Sequence, residues 1–148
     1  MNEKENPMNT QIVRTWMTPS PITITPQTTL PEAHQLMLQY NIRRLPVVNR
    51  GKLIGIVTLG DIREAQAADF TMLSVFELNS LLDRLPAREF MAYEPITISP
   101  DAAISEAAEL MLRHKIGALP VVENGELVGI LTETDFCRLL MLQTEVAV

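Results

Sequence analysis

The sequence predicts an α/β fold of two pseudo-symmetric halves, and three observations predict it. One pattern occurs twice. Ile42-Arg43-Arg44-Leu45-Pro46-Val47-Val48, then Gly51, Leu53, Gly55-Ile56, Thr58 and Asp61, returns as Ile116-Gly117-Ala118-Leu119-Pro120-Val121-Val122, then Gly125, Leu127, Gly129-Ile130, Thr132 and Asp135. The offset is about 74 residues without a gap, and such a repeat governs the reading of the whole chain. Within each copy, stretches of helical spacing alternate with short β-branched runs, which reads as β-α-β-β-α. Finally, 148 residues that are 47% hydrophobic and 20% charged predict one compact globular domain, long enough for a real core.

The repeat extends upstream. Met17 and Pro21-Ile22-Thr23-Ile24 with Pro26 match Met91 and Pro95-Ile96-Thr97-Ile98 with Pro100. Pro21 to Thr25 is a β-branched run bounded by prolines and predicts a brief strand. Thr29-Leu30-Pro31-Glu32 is a helix start, with a threonine cap, proline in the first turn and glutamate three residues after the cap. Leu30, Ala33, Met37 and Tyr40 then recur at helical spacing, predicting a buried face. Leu45 to Val48 predicts a buried strand, Asn49-Arg50-Gly51-Lys52 a turn, and Leu53 to Val57 the second arm of a hairpin. Thr58 opens the closing helix. The second copy runs the same way, with Asp101 as the expected helix cap and Glu123-Asn124-Gly125-Glu126 as the turn.

Between the copies, Asp69 and Thr71 interrupt the pattern. Ser74-Val75-Phe76-Glu77 is a further capping box, followed by Leu78, Leu81, Leu82 and Leu85, so an extra amphipathic helix is predicted from about Val75 to Arg84. It either packs on its own core or serves as a lid or dimer contact. The expected partition is a disordered tail over 1–11, a first repeat over 12–68, a connecting segment over 69–86 and a second repeat over 87–148. Phe136 to Gln143 continues the last helix, and Thr144 to Val148 is expected to fray.

Composition excludes several function classes. The net charge is −6, whereas a nucleic-acid backbone needs a surplus of Lys and Arg. No apolar run reaches the roughly 20 residues that cross a bilayer, and Met1 to Thr10 lacks the apolar stretch of a secretory signal. A cytoplasmic location is the expectation. The single cysteine, Cys137, forms no internal disulfide and is expected to be packed or half-exposed on the last helix. His34 and His114 fall at non-equivalent places, which disfavours a zinc site. No nucleophile–base pairing, metal constellation or Gly-rich phosphate loop is visible, so the chain reads as a non-enzyme without an obligatory cofactor.

Thr58-Leu59-Gly60-Asp61 and Thr132-Glu133-Thr134-Asp135 fall where a strand turns into a helix. Thr-x-x-Asp suits a helix cap, satisfying free N–H groups. It also suits a ligand: a helix start attracts phosphate, and a carboxylate accepts from ribose hydroxyls. Arg43 and Arg44 are either solvated cations at a helix end or a phosphate clamp. The second copy has Gly117 and Ala118 there, so the halves are chemically unequal.

Met-x-x-x-Pro-Ile-Thr-Ile, Leu-Pro-Val-Val and Gly-Ile-x-Thr-x-x-Asp, present twice from Val13 to about Leu139, resemble a tandem CBS-domain pair, or Bateman module. The chain is similar to stand-alone bacterial proteins of that type, including acetoin-utilization regulators. The resemblance implies two β-α-β-β-α repeats packed through their sheets, with two clefts that take AMP, ADP, ATP or S-adenosylmethionine. It implies a first cleft of Ile22, Thr23, Thr58, Asp61, Gly117 and Ala118. The second would hold Arg43, Arg44, Pro95, Ile96, Thr132 and Asp135 and would favour phosphorylated ligands. It further implies a regulatory homodimer acting on an unidentified protein partner, with neither nucleic acid nor membrane involved. A structural dimerisation or scaffold domain with vestigial clefts is the alternative.

Overall fold

A computed structural model describes residues 11–67 and 75–146. In chain order its elements are α1 (Val13–Trp16), β1 (Thr18–Pro19), α2 (Leu30–Tyr40), β2 (Arg44–Asn49), β3 (Lys52–Thr58) and α3 (Leu59–Ala67). There follow α4 (Val75–Arg84), a 3₁₀ turn (Ala87–Glu89), β4 (Ala92–Tyr93), α5 (Ile104–His114), β5 (Ala118–Glu123), β6 (Glu126–Thr132) and α6 (Glu133–Val146). The fold is mixed α/β. Residues 1–10 of the tail expected over 1–11, the pattern breaks at Asp69 and Thr71, and the cap at Ser74 lie outside the described residues.

The chain forms two compact units, one of Ile22–Pro95 and one of Met1–Pro21 with Ile96–Val148. We call them the first-repeat and second-repeat units. They do not coincide with the sequence repeats. The segment around α1 and β1 belongs with the second repeat, and its equivalent, from the 3₁₀ turn to β4, belongs with the first.

In the first-repeat unit β2 and β3 are antiparallel, from Arg44 opposite Thr58 to Asn49 opposite Lys52. Their turn places Arg50 at φ 51° and Gly51 at φ 80°. Two successive positive-φ residues match the right-handed strand twist, which is why the hairpin closes in two residues. Val47 opposes Gly55 and Val48 opposes Leu53, so Ile54 is bulged out of the ladder. Its carbonyl accepts the N–H of Glu94 at 3.2 Å, just beyond β4. β4 pairs with β3 through Gly55–Tyr93 and Ile56–Ala92.

The second-repeat unit repeats this plan. β5 and β6 pair with the same bulge, at Val128, whose carbonyl accepts the N–H of Ser20 at 3.3 Å. β1 pairs with β6 through Thr18–Ile130 and Pro19–Gly129. Glycine is required opposite these short strands. A Cβ at Gly55 would stand 2.7 Å from Met91 Sδ and 2.9 Å from the Ala92 carbonyl oxygen. One at Gly129 would stand 2.5 Å from Met17 Sδ and 3.0 Å from the Thr18 carbonyl oxygen.

Several expectations need correction. The strand expected over Pro21 to Thr25 reduces to one parallel bridge from Ile24 to Val47, matched by Ile98 to Val121. Ile24 donates to the Pro46 carbonyl at 3.0 Å and accepts from Val48 at 2.8 Å. Pro26, placed to donate to the Val48 carbonyl, and Pro46, placed to donate to the Ile22 carbonyl, carry no N–H, which stops the ladder on either side. Asp101 is not a helix cap: the N-cap of α5 is Ala103, which offers no side-chain bond. Instead, the Ile104 N–H is taken by the Gln11 carbonyl at 2.9 Å. Tyr40 lies off the buried face of α2 and is 50% exposed. Cys137 is exposed. α6 passes through Thr144, whose hydroxyl donates to the Leu140 carbonyl at 2.6 Å, so fraying does not begin there.

The start of α2 follows the sequence reading. Thr29 accepts from the Glu32 N–H at 3.5 Å while the Glu32 carboxylate accepts from the Thr29 N–H at 3.0 Å, a complete capping box. The Leu30 N–H is taken by the Leu85 carbonyl at 2.9 Å. Leu85 and Gln11 are equivalent under the repeat, so both α2 and α5 are met by backbone from the segment that completes their unit.

Each unit has its own core. Leu30, Ala33, Met37, Leu45, Val47 and Val57 are buried in the first with Ala87 and Met91. Ile104, Ala107, Met111, Leu119, Val121 and Leu131 are buried in the second with Val13. Leu82 of α4, together with Leu85, packs on the first core, while Phe76 is 82% exposed. No helix among the described residues is long and apolar enough to cross a membrane.

Candidate ligand-binding junctions

Thr58 is the last residue of β3 and α3 begins at the next position, so the junction sets the threonine as helix cap. The Thr58 N–H donates to Asp61 Oδ2 at 2.8 Å, and the Asp61 N–H donates to Thr58 Oγ1 at 3.1 Å. This reciprocal pair satisfies two backbone donors and holds the carboxylate still. The Leu59 N–H donates to the Arg43 carbonyl at 2.8 Å, and Arg44 lies directly opposite Thr58. In the first-repeat unit the backbone therefore gathers Arg43, Arg44, Thr58 and Asp61. Arg43 is exposed and Arg44 half-buried. Neither guanidinium has an ion pair among the described residues. Ile22 packs against the first core, and Thr23 is exposed just before the Ile24 bridge. Pro95 is half-buried at the end of this unit.

The second-repeat unit gathers Gly117, Ala118, Thr132 and Asp135 in the same way. Ala118 lies opposite Thr132, and the Glu133 N–H donates to the Gly117 carbonyl at 3.2 Å. Ile96 packs against the second core. The cap is different in detail. The Thr132 N–H donates to Asp135 Oδ2 at 2.8 Å, and the hydroxyl lies 3.5 Å from the same oxygen. The other oxygen, Oδ1, pairs with the Arg138 guanidinium. Asp135 is 2% exposed and is the buried charged residue among the described residues. Sequence reasoning missed Arg138. Its signal was present: Asp135 and Arg138 stand three apart on one helix, within reach of each other.

No buried side-chain nitrogen or oxygen among the described residues lacks a hydrogen bond. Elsewhere, Arg14 of α1 pairs with Glu123 and, at 3.3 Å, with Asp101. The Glu123 hydrogen bond first, then that of Asp101, raises the Arg14 pKa above its ordinary value.

These junctions, doubled on a β-α-β-β-α plan, define a class. The CBS domain profile matches residues 13–68 and 87–142, and the chain belongs to that family as a tandem pair. Among relatives, it is 33% identical over 126 residues to the CBS domain-containing protein YhcV of Bacillus subtilis, covering 83% of this chain and 81% of that one. It is 39% identical over 115 residues to inosine-5'-monophosphate dehydrogenase of Korarchaeum cryptofilum, where the match covers 77% of this chain and only 21% of the enzyme. Among solved structures, a Vibrio cholerae protein named for acetoin utilization (AcuB) superposes with TM-score 0.79 at 35% identity, over 93% of this chain and 95% of the other. The CBS pair of MJ0100, in complex with 5'-methylthioadenosine and S-adenosylmethionine, gives 0.76 at 29% identity, over 90% and 98%. CBSX2 of Arabidopsis thaliana, in complex with AMP, gives 0.75 at 27% identity, over 90% and 98%.

Proposed function

We propose that the chain is a non-catalytic regulatory module that binds an adenosine-containing ligand, AMP, ADP, ATP or S-adenosylmethionine. The observation that carries this reading is the doubled strand-to-helix junction, each with a threonine and a fixed aspartate. Relatives of the same fold bind AMP, S-adenosylmethionine and 5'-methylthioadenosine, which supports the ligand class. The Thr-x-x-Asp pairs, Thr58 with Asp61 and Thr132 with Asp135, serve the ribose and the first phosphate wherever the carboxylate is open to a ligand. Ile22, Thr23, Pro95, Ile96, Gly117 and Ala118 offer backbone and room around the base. Arg43 and Arg44, which have no ion pair among the described residues, supply the charge for phosphate. Binding changes the population of two states only through differential affinity, and the state is passed to a cytoplasmic protein partner or a second copy of this chain. Leu38 and its repeat equivalent Leu112 are 66% and 81% exposed, and Leu140, Met141 and Leu142 are also exposed, which supports a homodimer.

Thermal unfolding with each ligand tests the reading. A ligand at a hundred times its Kd stabilises by about 2.7 kcal/mol. A scaffold whose aspartates are caps alone gives no shift with any of the four, and an enzyme consumes its ligand. Light scattering at micromolar concentration that reports one subunit's mass would remove the dimer.

A further inference from the structure

The junctions differ at one position that the repeat makes comparable. Three residues after Asp135 stands Arg138, and three after Asp61 stands Glu64. At Asp135 both carboxylate oxygens are engaged, Oδ2 by the Thr132 N–H at 2.8 Å and Oδ1 by Arg138, on a side chain that is 3% exposed. Asp61 is half-buried and gives Oδ2 to the Thr58 N–H at 2.8 Å, while Oδ1 has no partner among the described residues. A ribose diol donates two O–H bonds to a carboxylate and needs an oxygen with free lone pairs in reach. Oδ2 of Asp135 also lies 3.5 Å from the Thr132 hydroxyl, so a diol that needs two acceptor sites has to displace the half-exposed Arg138 guanidinium from Oδ1.

Resting on the adenosine-binding reading, we infer that Arg138 closes Asp135 to ribose and leaves Asp61 as the open diol acceptor. Arg138 acts through Asp135 and is a positioning residue. The Thr-x-x-Asp spacing is the same in both copies; the asymmetry lies in the residue three positions further on. The same contact gives the second junction a fixed cation–carboxylate pair, whereas the first is followed at that spacing by a second carboxylate.

Titration calorimetry with adenosine tests this, because adenosine carries no phosphate for Arg43 and Arg44 to engage. The wild-type chain is expected to take up one equivalent. Asp61→Asn weakens binding about tenfold to a hundredfold, the loss of one charge-assisted hydrogen bond, and Asp135→Asn changes it little. Arg138→Gln opens a second equivalent, Arg138→Lys keeps it closed, and Glu64→Arg weakens the first by about tenfold. Arg138→Gln and Glu64→Arg leave both threonine caps in place, so they report even if an aspartate variant fails to fold. A merely structural Arg138 gives no added equivalent. Two equal equivalents in the wild type, or binding lost in Asp135→Asn and kept in Asp61→Asn, overturn this inference and leave the adenosine reading standing. No uptake by the wild type or by Arg138→Gln overturns both.

Discussion

Leu45 and Leu119, Val47 and Val121, Ala33 and Ala107, and Met37 and Met111 hold equivalent buried places in the first- and second-repeat units. The helix ends and hairpin tips between those places do not match. α2 opens with a full capping box, and α5 opens on Ala103 with none. The first hairpin turns on Arg50, the second on Asn124, at φ 51° and 53°. Close packing penalises even a methylene of changed volume, so the cores match. A cap or turn residue contributes about 1 kcal/mol and can be replaced by something else. Here the replacement is visible, because the Glu106 N–H, which lacks a side-chain cap, donates to the Ala103 carbonyl at 3.1 Å where the Glu32 N–H uses the Thr29 hydroxyl.

The sharpest way to break the equivalence of the cores is truncation. Leu45 and Leu119 are both fully buried, and Leu45→Ala and Leu119→Ala should each cost about 2–5 kcal/mol in urea unfolding. Clearly unequal costs would show that the two interiors relax differently. Next come the glycines beneath the short strands. Gly55→Val and Gly129→Val should each destabilise by about 1–3 kcal/mol through overpacking. The two should suffer alike, because a Cβ would stand 2.9 Å from the Ala92 carbonyl oxygen at Gly55 and 3.0 Å from that of Thr18 at Gly129. Clearly unequal losses, read from chemical-denaturation midpoints, would mean that one of β1 and β4 yields more easily than the other.

Helix caps give a smaller, signed test. Glu106 already occupies the place that Glu32 holds in α2. Ala103→Thr should complete a capping box and stabilise by about 1 kcal/mol, while Thr29→Ala should lose as much. Thermal midpoints moving in the same direction for both variants would refute the comparison. Arg50→Asn should give the least, about 0.5 kcal/mol, since asparagine tolerates the left-handed region better than arginine. An unchanged unfolding midpoint would place the turn's stability in Gly51 alone.

Much of this was legible because repetition doubled every signal. Thr29-x-x-Glu32 and Thr58-x-x-Asp61 are local chemistry, and both form the contacts their spacing implies. Arg50-Gly51 and Asn124-Gly125 announce their turns for the same reason. What escaped was non-local. Thr18–Pro19 and Ala92–Tyr93 carry no strand pattern of their own. They pair because Gly129 and Gly55 leave room for an approaching backbone, a fact that no window around them contains. Asp101 looked like a cap because it is the nearest acidic side chain before α5, whereas the helix starts only at Ile104 and its cap position holds Ala103, the repeat equivalent of Thr29. At the candidate site, the threonines and aspartates were readable as a motif. The occupation of Asp135 by Arg138 depends on burial and side-chain direction, which a motif does not encode.

The exchange of leading segments gives the two units different histories during synthesis. Everything in the first-repeat unit lies within Ile22–Pro95, so its last core residues, Ala87 and Met91, arrive soon after the rest. The second-repeat unit needs Val13 beside Ile104 and Leu131, and Thr18 opposite Ile130. Its first piece leaves the ribosome before the whole first-repeat unit and waits for partners made more than 80 residues later. A chain interrupted near residue 95 could thus carry a finished half and an idle apolar strap, Val13 with Trp16 and Met17, that nascent-chain chaperones would meet first.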